Sequence, residues 1–223
     1  MKLKFSKQDL LLALSVPALL VYYFATNPFS TTLTCRSIGL SGFSAEQRQN
    51  FLAAGTALNG AVIKPHGTFS FNGRLGARTG SRGYVPAPSY VSGEKVSTSG
   101  GGICLISSTL YQLALLSGLE VIEREPHVKT VASVPPGLDA TVWYGVHDLK
   151  LKNPYPYPVA IKAEEDNNEL KLSILAEAGL VPSERTLSRR ELARDNHRLL
   201  VEVFLKEGGK DKLVSRDSYT ISR

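Results

Sequence analysis

The chain has 223 residues, of which 43% are hydrophobic and 21% charged, enough apolar content to bury a core in one main domain and too much for a disordered chain. Twenty-six Lys and Arg against 20 Asp and Glu leave a formal net charge of +6, which suits an anionic polymer or a lipid surface. The basic residues are dispersed and nowhere interleave with aromatics as a single-strand nucleic-acid groove requires, so nucleic acid is not an expected partner.

Lys2, Lys4 and Lys7 precede the apolar stretch Leu10 to Ala25, which is interrupted only by Ser15 and Pro17. A basic start followed by an apolar run at the extreme N-terminus is the pattern of an export signal. No clean Ala-x-Ala site follows, so residues 1–30 are expected to be an uncleaved anchor in the cytoplasmic membrane, with the main domain extracytoplasmic. Thr32-Leu33-Thr34-Cys35 matches a lipoprotein cleavage site only loosely, since a smaller residue than threonine should precede the cysteine. Export permits a disulfide between Cys35 and Cys104, but nothing in their spacing argues for one.

Ser44, with Gln47 three residues later, is a capping-box signature that opens a helix through Phe51, Leu52 and Leu58, stopping at Asn59-Gly60. From Ala61 to Val96 the chain is rich in Gly, Pro and Ser and reads as loops and short strands, a setting in which functional residues concentrate. Arg78, Thr79, Tyr84, Tyr90 and Glu94 fall there as candidates to grip a glycan or peptide stem, or equally to cap loops.

Ser99-Gly100-Gly101-Gly102-Ile103-Cys104 then runs into Leu105, Ile106, Leu110, Leu113 and Ala114 at helical spacing, with Gly118 as the stop. Cys104 is therefore expected in the first turn, where backbone N–H groups favour a thiolate. Free cysteine is often a small buried hydrophobe, but three glycines in a row cost backbone entropy unless close approach or positive φ is needed. Gly101, Gly102 and Ile103 are the candidate oxyanion loop, and Ser107 and Ser108 are candidate ligand contacts in the first turns of the helix.

Strands are expected over 120–123, 131–134 and 140–144. Trp143 and Tyr144 could form a sugar-stacking shelf, although aromatic pairs on a strand more often pack the core. Two further hairpins follow, Pro158 to Ala163 with Leu170 to Ala176 around Asp166-Asn167-Asn168, and Arg198 to Lys206 with Leu213 to Ile221 around Gly208-Gly209. The basic segment Glu184 to Arg198 reads as the link between them. The fold class is α+β: a central helix starting at a Gly-rich Cys loop, packed on a mainly antiparallel sheet, with a strand-rich C-terminal third.

One series of motifs is specific. Ala57-Leu58-Asn59-Gly60, Gly67-Thr68-Phe69-Ser70-Phe71-Asn72, Gly76-Ala77-Arg78-Thr79, Gly83-Tyr84, Gly100-Gly101-Gly102-Ile103-Cys104, Ser107-Ser108-Thr109-Leu110-Tyr111, Glu123-Arg124, His127, Gly137-Leu138-Asp139-Ala140-Thr141-Val142 and Asp148-Leu149-Lys150 stand in this order. Together they resemble the VanW family, bacterial envelope proteins named from vancomycin-resistance gene clusters. The resemblance covers residues 31–161, which it marks as the core domain, leaving 162–223 as a hairpin-rich extension. It implies a cell-envelope setting and peptidoglycan or its peptide stems as the partner. The chain departs from the family pattern at Leu105 and Val128, where members often carry Gln and Ser.

The family name supplies no mechanism, so the residues must. A cysteine at a helix start, a strand, a histidine and then an aspartate is also the chain order of transglutaminase-like enzymes. On that reading Cys104 is the nucleophile, His127 its base and Asp139 the acid that orients the imidazole, with Asp148 as the alternative. The reaction expected is that of a cysteine peptidase, amidase or transpeptidase on stem peptides, and the competing reading is a non-catalytic wall-binding or accessory protein. His66 and His147 could join His127 and Cys104 around zinc, but no paired short ligand spacing exists, so no metal or other cofactor is expected.

Overall fold

A computed structural model describes residues 28–91, 94–180 and 182–221, the side chains of Tyr90, Val91, Glu94 and Lys95 excepted. The anchor expected over residues 1–30 thus lies, up to residue 27, outside the described residues. Among the described residues no helix is long and apolar enough to cross a membrane.

The fold is α+β and strand-rich, and every strand pair is antiparallel. The main sheet has the order β1-β9-β8-β2, formed by β1 (Phe29–Gly39), β9 (Glu169–Glu177), β8 (Val159–Asp166) and β2 (Ala61–Ile63). Along β9 the buried residues Leu170, Leu172, Ile174 and Ala176 alternate with Glu169, Lys171 and Glu177 at the water, so one face of the strand is committed to the core. Asn167 and Asn168 close the β8–β9 hairpin at φ 48° and 62°, the left-handed turn conformation that matches the twist of the strands.

Two helices cover this sheet. The capping box of Ser44 and Gln47 forms as the sequence requires and opens α1 (Ala45–Leu58), which packs on β8 and β9. The apolar face of α3 (Cys104–Ser117) packs on β1 and β9, and Gly118 ends it at φ 79°. A second sheet of order β3-β7-β6 joins β3 (Thr68–Ser70), β7 (Lys150–Lys152) and β6 (Glu120–Glu123), and the short helix α2 (Phe71–Leu75) follows β3 directly. The hairpin of β4 (Pro86–Val91) and β5 (Glu94–Ser99) delivers the chain to the glycine run. One core of buried side chains runs through both helices and both sheets, from Phe51 and Leu58 through Leu110 and Leu113 to Ile161 and Ile174.

Three expectations need correction. The basic segment Glu184 to Arg198 is not a linker: β10 (Arg185–Arg194) pairs with β11 (Arg198–Glu207), which pairs with β12 (Lys210–Thr220), making a third sheet. Most of β10 faces water, so it carries no apolar alternation to betray it, and Arg190 with Arg216 of β12 flanks Glu202 of β11. Val131 to Val134 is a turn, since Pro135 and Pro136 follow and remove two donors from any ladder. Ala140 to Tyr144 is held by isolated bridges rather than a strand ladder, because side chains of α3 take the backbone groups of Ala140.

Candidate functional site

The glycine run is a close-packing device. A Cβ on Gly101 would lie 2.0 Å from the Ala87 carbonyl oxygen, and Gly102, at φ 90°, would put one 2.9 Å from the Phe51 ring. The fully buried Asn50 of α1 clamps the loop: its amide donates to the carbonyls of Val85 and Gly101, both at 3.0 Å, and its oxygen accepts from the Val85 N–H at 2.9 Å. Cys104 follows as the first residue of α3, its Sγ 3.7 Å from the Val142 carbonyl oxygen.

The backbone donors around it divide. The N–H groups of Gly101, Ile103 and Leu105 go to the carbonyls of Thr98, Gly100 and Gly102 at 2.9, 3.2 and 3.0 Å. Those of Gly102 and Cys104 have no intramolecular acceptor among the described residues. Of the three loop residues expected to serve an oxyanion, Gly102 retains its donor, and Cys104 adds its own at the positive end of α3.

His127 and Asp139 meet directly. One oxygen of Asp139, Oδ2, accepts from the His127 backbone N–H and lies against Nδ1 of the ring, both at 2.7 Å. The other, Oδ1, accepts from the Tyr219 hydroxyl at 2.6 Å and from Arg124 Nη2 at 3.0 Å. Arg124 also donates to the Asp139 carbonyl at 2.6 Å and to Asp217 at 2.7 Å, and it lies over the Tyr111 ring at 5.0 Å. Asp148 is elsewhere: it accepts from Ser70 Oγ at 2.6 Å and the Asn72 N–H at 2.8 Å, securing the start of α2.

Electrostatics follow from this packing. Burial works against a charge on Asp139, but the hydrogen bond from His127, the Arg124 charge and the Tyr219 hydroxyl outweigh it and hold the carboxyl at about 2. Burial likewise opposes the imidazolium of His127, but the hydrogen bond to Asp139, the neighbouring Cys104 sulfur and the Asp139 charge push it up to about 9. With Nδ1 on Asp139, Nε2 is the nitrogen left for the thiol.

The third sheet completes this arrangement. The Tyr219 hydroxyl, besides meeting Asp139, accepts from the Gly137 N–H at 2.6 Å. The Thr220 N–H donates to the Val128 carbonyl at 2.8 Å, and Thr220 bridges Lys129, so the end of β12 pairs with the backbone just after His127. Sequence reasoning missed Tyr219, Asp217 and the role of Arg124. Only Arg124 carried a signal, its place beside Glu123 in the motif series, since Tyr219 lies 80 positions from Asp139.

Cys104 opens onto a cleft of about 230 Å³ lined also by Arg78, Ser99, Val142, Trp143 and Tyr144. Trp143 and Tyr144 are 47% and 55% exposed and project at its rim instead of packing the core, because the turn through Gly145 at φ 79° carries them outward. The other expected ligand contacts do not gather there. Thr79 sits exposed in a turn beside Ser81, and Tyr84 is buried with no partner for its hydroxyl. The Glu94 and Tyr90 side chains lie outside the described residues. Ser107 and Ser108 are buried and structural: Ser107 donates to the Ala140 carbonyl at 2.6 Å, while Ser108 accepts from the Ala140 N–H at 2.9 Å and donates to the Cys104 carbonyl at 2.5 Å. They tie the segment after Asp139 to α3. Cys35 is exposed on β1, and both cysteines are free thiols. No group of three or more His, Cys, Asp or Glu is gathered as a metal site among the described residues.

A family model described as VanW like protein matches residues 46–175. The chain is 31% identical over 166 residues to the uncharacterized protein YoaR of Bacillus subtilis (strain 168), a match covering 72% of this chain and 55% of YoaR. It is 34% identical over 109 residues to the vancomycin B-type resistance protein VanW of Enterococcus faecalis (strain ATCC 700802 / V583), covering 47% of this chain and 40% of that protein. The chain thus spans about half the length of the curated relatives it matches. No solved structure matches it.

Proposed function

The chain belongs to the VanW family, and on that premise we propose that it is an exported, membrane-anchored envelope protein that cleaves or exchanges amide bonds in peptidoglycan stem peptides through Cys104. The geometry that carries the reading is the His127 ring held on Asp139 through Nδ1 at 2.7 Å, with Cys104 near enough to raise the ring's titration and standing at the start of α3, where the N–H groups of Gly102 and Cys104 have no intramolecular acceptor among the described residues. In the first step His127 holds the Cys104 proton as the imidazolium, and the thiolate attacks the carbonyl carbon, forming an S–C bond as the carbonyl π pair moves onto oxygen. The oxyanion is met by the N–H groups of Gly102 and Cys104. The C–N bond then breaks as the His127 imidazolium gives its proton to the leaving amine. Water, or an amine in a transpeptidation, attacks the thioester carbon, His127 takes the nucleophile's proton, and the S–C bond breaks to release the thiolate, restoring the ion pair. Asp139 keeps the imidazole in the tautomer this relay needs.

A second reading, a non-catalytic wall-binding or accessory protein linked to glycopeptide susceptibility, is favoured by the exposed Trp143 and Tyr144, which suit stacking on a sugar face. The Enterococcus relative's name, a vancomycin B-type resistance protein, supports the link to susceptibility. Cys104→Ala separates the two. Thiol chemistry predicts that the purified protein changes the muropeptide profile of isolated cell walls and that the variant loses this by about a thousandfold or more. A variant that still changes the profile sinks the thiol mechanism. Sedimentation with intact walls that survives Cys104→Ala but drops in Trp143→Ala, with no change in muropeptides, selects the binding module.

A further inference from the structure

The Cys104 cleft contains a cation that has no ion-pair partner among the described residues. Arg78 lies over both the Phe71 and Tyr144 rings, its guanidinium carbon 5.5 and 5.9 Å from their centroids. One Nη donates to the Gly76 carbonyl and the other to Asn72 Oδ1 at 2.6 Å, which leaves Nε and one N–H on each Nη of the five donors. Arg78 is half-buried and forms no ion pair among the described residues, unlike Arg124, whose buried side chain pairs with Asp139 and Asp217. Asp148 acts on it only at a distance, with its own oxygens engaged by Ser70, Asn72 and Leu149. Burial works against the Arg78 charge, and the neighbouring groups do not make up the difference.

The loop that positions the thiol also seats this side chain. A Cβ on Gly100 would lie 2.6 Å from Arg78 Cγ, and Ser99 Oγ donates to the Arg78 carbonyl at 2.5 Å. Arg78 and Cys104 are therefore fixed to the same few residues and line the same cleft. A half-buried guanidinium in contact with two rings keeps three N–H donors for a planar partner, and the ideal partner of that fork is a carboxylate. Among the described lining residues of the cleft, Arg78 is the one cation, which matches a singly charged carboxylate better than a doubly charged phosphate.

We propose that Arg78 is a carboxylate subsite, so that the substrate acting at Cys104 carries a free carboxylate close to the carbonyl under attack. The proposal rests on the reading of Cys104 as the nucleophile, and it narrows the stem-peptide bond to one beside an unblocked acid group. Amidated or internal peptides, which lack that group, are poor substrates.

The two cysteines supply the test within one molecule. Iodoacetate and iodoacetamide are nearly the same size and differ in the negative charge. Their labelling rates at Cys104 and at the exposed Cys35 are compared by peptide mass mapping, in the full chain and in Arg78→Gln. The subsite predicts that the iodoacetate-to-iodoacetamide rate ratio at Cys104 exceeds that at Cys35 by about tenfold or more, the worth of one charge-assisted hydrogen bond. In Arg78→Gln the ratio falls to within about twofold of the Cys35 value on loss of that bond. Equal ratios at the two cysteines in the native protein overturn the proposal. So does a high ratio that survives Arg78→Gln, because the charge at work is then His127. Should Arg78→Gln fail to fold, acetate must slow iodoacetamide labelling of Cys104 in the native protein while acetamide does not, and absence of that protection overturns it equally. Muropeptide cleavage by Cys104→Ala tests the nucleophile separately, so the two failures are distinguishable.

Discussion

At His127 the deciding quantity is where a proton resides at neutral pH. Asp139, held ionised by Arg124 and Tyr219, and the Cys104 sulfur both favour the imidazolium, which is why the ring titrates at about 9 instead of near 6.5. Cys104→Ala removes one of those partners and Asp139→Asn the other. The His127 midpoint, followed by NMR of the ring nitrogens, is expected to drop in each variant. An unchanged midpoint in Cys104→Ala would mean that the thiol is not a partner of the ring, and the relay described above would lose its first member. The imidazolium that predominates below about 9 is the form a leaving amine needs.

Elements show how much of this was legible. The start of α1 could be read from Ser44 and Gln47, and that of α3 from the glycine run and the apolar spacing behind it, since caps and helical periodicity are local signals. Cys104, His127 and Asp139 were legible as candidates and the pairing of Asp139 with His127 was expected, but what holds the segment after Asp139 against α3, the hydrogen bonds of Ser107 and Ser108 to Ala140, was not. The contribution of β12 was hidden altogether, as no local pattern joins Tyr219 to a carboxylate 80 positions away. Two substitutions probe these elements. Tyr219→Phe leaves the Gly137 N–H and one Asp139 oxygen short of a partner, and its urea denaturation should lie about 1–3 kcal/mol below the native protein. The same change should raise the titration of Asp139, a shift that loss of packing alone would not produce. Gly101→Ala sets a methyl 2.0 Å from a backbone oxygen that cannot swing aside, and a loss of about 1–3 kcal/mol or more is expected from thermal unfolding. An unaffected Gly101→Ala protein would show that the loop does not hold β4 as closely as described.

Over the whole molecule, the buried pair makes stability depend on pH in a definite direction. His127 binds its proton more tightly folded, at about 9, than unfolded, near 6.5, so its contribution is complete below 6.5 and is lost as pH rises through about 9. Asp139 is shifted the other way, from 3.8 to about 2, so its contribution is complete above 3.8 and disappears as pH falls through about 2. Both shifts describe one interaction and do not add. The alkaline limb is the cleaner of the two, because protonation of many carboxylates at low pH also increases self-repulsion in a chain that already carries +6. The distance from 6.5 to about 9 corresponds to about 3 kcal/mol lost across that limb. Asp139→Asn should be less stable near pH 6, by about 3–5 kcal/mol where Arg124 loses one of its two acids. It should also show a shallower fall between 6.5 and 9, since only the Cys104 share of the His127 shift remains. Urea midpoints measured at intervals over that range decide the matter: parallel curves for the two proteins would place the source of the alkaline slope outside the His127–Asp139 pair.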